Sequence, residues 1–258
     1  MKPGRISRRG FLALAMIAGC GRTAGETGNP SRLSPDRARA RLSVRHHRPS
    51  RQGPKGLRSL GLAPGARDGL IYVPAGYAAE RPARLALMLH GGGGSAPETV
   101  VGFERLFDAT NTIVVSPDSR GGTWDILLGG FGPDVAFIEQ VLEWTFDQYV
   151  VDRSRVAIGG FSNGASYALS LGPANGDFFT HVIAFSPGFM EPPELVGRPK
   201  IFVSHGTGDR VLPIDVTSRF FVPKLEGARY EVRYREFQGG HAVPDDVARE
   251  ALEWFTAS

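Results

Sequence analysis

The stretch Val156-Ala157-Ile158-Gly159-Gly160-Phe161-Ser162-Asn163-Gly164-Ala165 decides how the rest of the chain is read. It opens as an apolar, β-compatible run, passes through Gly-x-Ser-x-Gly, and continues into small residues that suit the start of a helix. A serine held in so tight a strand-to-helix turn takes a strained backbone conformation that lifts its hydroxyl clear of the sheet. Side chains at positions 160 and 164 would collide across the turn, which accounts for Gly160 and Gly164. Glycine and serine are common, so the motif by itself describes a serine-capped helix equally well. The context separates the two readings, because here a strand precedes the motif and a helix follows it.

Outward from this point the chain alternates. Residues 70–73, 85–89, 112–115, 181–185, 200–204 and 230–237 read as further strands, several of them apolar on both faces, as in a parallel sheet covered on each side. Between them, Pro133 and Asp134 open a helix with Val135, Ile138, Val141, Leu142 and Trp144 at spacings of three and four, with Asp134 at or near its N-cap. Another helix starts after Ser162, and residues 243–255 form a last amphipathic one. The pattern predicts an α/β domain: a doubly wound, mostly parallel sheet with helices on both faces. Functional residues in such sheets lie at the carboxyl ends of strands.

Two more residues fall there. The strand 200–204 runs into His205-Gly206-Thr207-Gly208-Asp209, and the strand 230–237 runs into Gln238-Gly239-Gly240-His241. An acid and a base therefore follow the serine in the order Ser162, Asp209, His241. Taken singly, Asp209 is an ordinary turn former and His241 an ordinary helix-flanking residue; three matches at three strand ends make coincidence a poor account. Asp118, Asp125 and Asp134 are weaker candidates for the acid, since all precede the serine. His181 lies within a strand and reads as a core histidine, while His46 and His47 fall in a polar segment.

After the most apolar strand comes His90-Gly91-Gly92-Gly93-Gly94-Ser95. Acyl transfer needs backbone N–H groups aimed at a developing oxyanion, and glycines let the chain approach closely enough to supply them. The expected donors are the amide of Asn163 and that of Gly92, with Gly93 as the alternative. His90 is expected to hold the loop by a hydrogen bond. The glycines do not read as a phosphate cradle, because no Gly-Lys-Ser/Thr follows them.

Together these residues resemble the α/β-hydrolase superfamily, in particular its polyhydroxybutyrate depolymerase-like and phospholipase/carboxylesterase-like serine esterases. The matching stretches are residues 89–94, 116–120, 132–135, 160–165, 205–213 and 239–244. The resemblance implies ester hydrolysis through Ser162, Asp209 and His241, with no metal or organic cofactor. A peptidase of the same fold and a catalytically silent binding module are the alternatives. Only about 14 residues separate the strand ending near Phe185 from the one starting at Lys200. That leaves no space for a cap domain and predicts an open site for short or exposed esters, with Trp124, Phe189 and Met190 as candidate substrate contacts.

The N-terminal region reads differently. Arg8-Arg9 precede a short apolar run that ends Ile17-Ala18-Gly19-Cys20. Such a run is too short to span a bilayer and reads as a twin-arginine signal peptide over residues 1–20. Its end resembles a lipobox, which implies lipidation of Cys20, export and a membrane anchor. Cys20 is the only cysteine, so neither an intrachain disulfide nor a cysteine nucleophile is available. Residues 21–55 carry a net charge of +7, show no periodicity, and read as a flexible basic tether. The catalytic domain is expected over residues 56–258, where the net charge is −7. The basic balance of the whole chain therefore belongs to the tail and does not point to a nucleic-acid partner.

Overall fold

The computed structural model describes residues 39–64, 67–101 and 104–257. The signal peptide, Cys20 and the first part of the tether lie outside them. Eight strands, β1 (Gly56–Ser59), β2 (Gly69–Val73), β3 (Ala83–Leu89), β4 (Thr112–Pro117), β5 (Val151–Phe161), β6 (His181–Phe185), β7 (Lys200–Gly206) and β8 (Val232–Phe237), form one sheet in the order β1-β2-β4-β3-β5-β6-β7-β8. β1 and β4 both pair antiparallel to β2, and every other neighbour is parallel. β1 is a strand that residue patterning did not reveal, because its four residues alternate between half-buried and exposed.

The helices are α1 (Pro97–Val100), α2 (Glu104–Thr110), α3 (Pro133–Phe146), α4 (Asn163–Ala174), α5 (Ser218–Gly227) and α6 (Asp245–Ala257). They divide between the two faces of the sheet according to the period-two alternation of strand side chains. Leu85, Leu87 and Leu89 of β3 join one core with residues of α3, α4 and α5. Ala86 of the same strand joins a second core with Phe107 of α2 and Val247, Ala251, Leu252 and Phe255 of α6. α3 begins at Pro133 as expected, but its N-cap is Gly132; the Asp134 carboxylate is engaged elsewhere and caps nothing in its own helix.

The winding reverses at β3. From β3 the chain moves outward to β4, then crosses back to lay β5 on the other side of β3. The carboxyl ends of β3 and β5 therefore stand side by side, with Leu89 in register with Gly160. The glycine loop after β3 and the Gly-x-Ser-x-Gly turn after β5 are brought together at this reversal, where crevices form in open α/β sheets. The 14 residues from 186 to 199 that join β6 to β7 contain no helix, so this connection supplies no cap to this end.

The expected tether does not extend to residue 55. Ala40, Leu42 and Val44 are buried in the core beside α3 and α4. Asn175, just after α4, clasps the same segment: its Oδ1 accepts the Leu42 amide at 2.8 Å and its Nδ2 donates to the Ala40 carbonyl at 2.8 Å. Arg41 reaches both carboxylate oxygens of Asp177 and the Ala174 carbonyl. Three alternating apolar residues among arginines and serines make too weak a pattern to stand out, yet each finds a place. The packed body therefore includes residues 40–44 of the expected tether.

His46 belongs to this segment, with its ring centroid 4.5 Å from that of Phe146 and 5.0 Å from that of Phe178. Burial, helped by Arg153, lowers its pKa from 6.5 to about 4. The unfolded chain thus binds the proton at a higher pH than the folded one. The stability that comes from keeping this ring neutral is complete above about pH 6.5 and is lost as the pH falls towards 4. His46→Phe keeps an aromatic ring in place without a titrating group. Between pH 7 and pH 4.5 it is expected to lose less stability than the parent, by at most about 3 kcal/mol. Urea melts at the two pH values read this difference, and equal losses would remove the assignment.

Candidate active site

Ser162 sits at φ 55° and ψ −119°, a left-handed conformation that costs a non-glycine residue about 1–3 kcal/mol. Its amide donates to Phe185 O at 2.9 Å and its carbonyl accepts from Ser166, so the turn is pinned at both ends. A Cβ at Gly160 would stand 2.6 Å from the Leu89 carbonyl oxygen, and one at Gly164 would strike the carbonyls of Leu89 and His90. The two glycines thus admit the neighbouring strand end, a stronger requirement than collision within the turn alone.

The three residues expected to act together do meet. Ser162 Oγ lies 2.9 Å from His241 Nε2, and His241 Nδ1 lies 2.6 Å from Asp209 Oδ2. Asp209 Oδ1 accepts the amides of Val211 at 2.8 Å and Leu212 at 2.9 Å. Burial works to raise the Asp209 carboxyl, but the N–H groups of Leu212, His241 and Val211 outweigh it and hold the group below the usual carboxylate range. A carboxylate that stays ionised keeps the imidazole proton on Nδ1, which leaves Nε2 free to accept a proton from the serine.

The glycine loop is set against this chain. The Gly93 amide is committed to Gly122 O at 2.7 Å and that of Gly94 to Gly91 O at 3.1 Å. Among the described residues, the amides of Gly92 and Asn163 have no acceptor. A Cβ at Gly92 would lie 2.5 Å from Asn163 Nδ2, so the Gly92 backbone packs directly against the Asn163 side chain. Gly92 and Asn163 are therefore the available pair, and the Gly93 alternative falls away. His90 fixes the loop as expected: it is fully buried, its Nδ1 donates to Gly91 O at 2.7 Å, and its Nε2 accepts the Ser119 amide at 3.0 Å.

Trp124 is not a substrate contact. It is 0% exposed, donates from Nε1 to His90 O at 2.9 Å, and packs its ring against His90 and Tyr167, so it props the glycine loop from beneath. Phe189 and Met190 are half-buried, and Met190 packs against the core beside α4. A cavity of about 350 Å³ lies beside His241, on the face of the sheet that carries α2 and α6. Gly91, Phe161 and His241 line its near end, and Met88, Leu106 and Leu252 line its interior. Neither Phe189 nor Met190 borders it.

The weaker candidates for the acid are tied into the framework. Asp118 accepts the Ala96 amide, Asp125 accepts the Tyr167 hydroxyl and the Asp134 amide, and Asp134 accepts the amides of Arg120 and Asp125. His181 is buried against Trp254 and Phe255, and burial lowers its pKa to about 4, in keeping with a core role. Among the described residues no group of three or more His, Cys, Asp or Glu side chains is placed to hold a metal ion. One neighbour escaped the sequence reading. His205, four residues before Asp209, places its Nε2 3.2 Å from Asp209 Oδ2 with no exposure of either side chain.

The sheet order, the turn after β5 and the serine–imidazole–carboxylate chain give the chain an α/β-hydrolase fold, and the chain is similar to serine esterases of that superfamily. Residues 133–256 match the Phospholipase/Carboxylesterase family. Among curated proteins it is similar to a probable feruloyl esterase C of Aspergillus flavus, 29% identical over 158 residues that cover 58% of this chain and 57% of that one. It is likewise similar to a bifunctional acetylxylan esterase/xylanase of Neocallimastix patriciarum, 31% identical over 158 residues that cover 57% of this chain and 22% of that one. The match thus spans little more than half the length of the feruloyl esterase. Among solved structures, a ferulic acid esterase of Anaeromyces mucronatus shares the fold with a TM-score of 0.59 at 18% identity, over 87% of this chain and 95% of that one.

Proposed function

We propose that the protein hydrolyses carboxylic esters through an acyl-enzyme on Ser162. The observation that carries this reading is the unbroken chain from Ser162 Oγ through His241 to Asp209, with two uncommitted amides beside it. In this mechanism His241 Nε2 takes the Ser162 proton as Oγ attacks the carbonyl carbon, and Asp209 stabilises the imidazolium without accepting the proton. The amides of Gly92 and Asn163 receive the oxyanion, a donor pair in which each member contributes about 3 kcal/mol to lowering the barrier. His241 then protonates the leaving alcohol. Water, deprotonated by the same imidazole, attacks the acyl-enzyme and releases the acid and the free serine.

The substrate side of the proposal rests on the short, helix-free connection between β6 and β7 and on relatives named for feruloyl and acetylxylan esters. Acetyl esters and compact aromatic acyl esters suit such a site better than long-chain lipids, which need an apolar lid. The test is a fluorophosphonate label together with a panel of p-nitrophenyl acetate, butyrate and dodecanoate and methyl ferulate. The expected result is a single label on Ser162, with faster turnover of acetate, butyrate and ferulate than of dodecanoate. No labelling would overturn the serine chemistry. An optimum at dodecanoate with activation at a lipid interface would overturn the substrate class.

A further inference from the structure

We propose that His205 is a positioning residue for the acid of the triad, a second imidazole that holds the Asp209 carboxylate and shares its charge with His241. The inference rests on the reading of Ser162, His241 and Asp209 as the catalytic chain, and it extends that chain by one residue.

His205 lies near the end of β7, and its side chain is wholly buried. Its Nε2 faces two acceptors, the Leu212 carbonyl at 2.8 Å and Asp209 Oδ2 at 3.2 Å. A nitrogen facing only acceptors must carry the hydrogen. Its Nδ1 lies 2.7 Å from Ser218 Oγ at the start of α5, so the hydroxyl donates to it. Ser218 thereby fixes the Nε2–H tautomer. Burial keeps this ring on the neutral side by lowering its pKa.

His241 Nδ1–H donates to Asp209 Oδ2, and the single His205 Nε2–H, bonded to the Leu212 carbonyl, brings that nitrogen to 3.2 Å from the same oxygen, while two amides occupy Oδ1. A carboxylate has about four lone-pair sites; three of them accept N–H bonds and the His205 nitrogen stands beside the fourth. The carboxylate cannot rotate without breaking several bonds at once. The other charged group facing His205 is Glu236, its partner across β8, and Arg219 and Tyr234 already hold that carboxylate. Removing the His205 donor leaves His241 as the sole side-chain partner of Oδ2. More of the negative charge then falls on His241, whose protonated form becomes harder to discharge.

A space-filling role for His205 makes a different prediction, and two substitutions separate the alternatives. The terminal nitrogen of glutamine reaches the position of an imidazole Nε2, whereas that of asparagine falls short. The measurement is kcat/KM against pH, with kcat and KM resolved, on an ester that the parent protein hydrolyses. For His205→Asn the acid limb is expected to move up by ~0.5–1 pH unit. Its kcat falls by ~10-fold with KM within about twofold, the mark of a mispositioned base. His205→Gln recovers the acid limb of the parent. Ser218→Ala, which frees the other tautomer, moves the limb in the same direction as asparagine and by less.

Superimposable profiles for His205→Asn and the parent would overturn the proposal. So would equal displacement by glutamine and asparagine, which reports lost volume alone. Where His205→Asn does not fold, Ser218→Ala decides, and an unmoved limb there refutes the idea. A parent protein that neither hydrolyses esters nor takes the fluorophosphonate label would instead refute the triad itself.

Discussion

Ser162→Ala is expected to lower kcat on a p-nitrophenyl ester by about 10⁶-fold, the loss typical when the nucleophile of such a unit is removed. The fluorophosphonate label should vanish with it. The expectation follows from the position of the hydroxyl, which is the sole group linking His241 Nε2 to a reacting carbon. The backbone bonds that pin the turn, Ser162 N to Phe185 O and Ser166 N to Ser162 O, do not involve the side chain and persist in alanine. Circular dichroism and the melting temperature should therefore stay close to those of the parent. Turnover within tenfold of the parent would mean that another group is the nucleophile.

Asp209→Asn is expected to reduce kcat by about 10⁴-fold through the wrong imidazole tautomer. Here the surroundings add a second penalty. Three N–H groups, from His241, Val211 and Leu212, point at the carboxylate oxygens, with the His205 nitrogen 3.2 Å from one of them, and an amide at this position replaces one acceptor oxygen by an NH₂. Turned towards Val211 and Leu212, the NH₂ meets two fixed amide donors; turned towards His241, it forces the imidazole hydrogen off Nδ1 and crowds the His205 nitrogen. The variant should consequently lose stability as well as activity, by ~1–3 kcal/mol for the buried groups left unsatisfied. Chemical denaturation beside steady-state kinetics reads both effects. Near-parental activity would place the acid elsewhere in the chain.

Both predictions concern residues that were readable in advance, because the chemistry demands particular residue types at particular strand ends. Ser162, Asp209 and His241 each follow a β run and arrive in one order, and Gly92 and Asn163 follow from where an oxyanion must form. Trp124 was misread because an aromatic near a motif serves substrate or core equally well in sequence, and only its complete burial under His90 decides. His205 went unnoticed because its significance comes from a contact with Asp209 and from Ser218 thirteen positions away, neither of which has a sequence pattern. The packing of residues 40–44 was hidden for the opposite reason: the signal is local but small, and its strength comes from Asn175, far along the chain. The helix α5 was obscured by Pro223 inside it, a residue that normally ends such an element.

The turn that presents Ser162 sets durability against turnover at a single position. Holding a non-glycine residue at φ 55° consumes part of a folding free energy that is only about 5–15 kcal/mol in most domains. Drift towards greater heat resistance would favour glycine there, since glycine takes that conformation without penalty, and each such step would silence the protein. On the proposed mechanism, the need for a nucleophile is what favours a side chain at position 162. An engineer who screens this scaffold for thermal tolerance alone would enrich dead variants, and would need to couple every heating step to a catalytic readout.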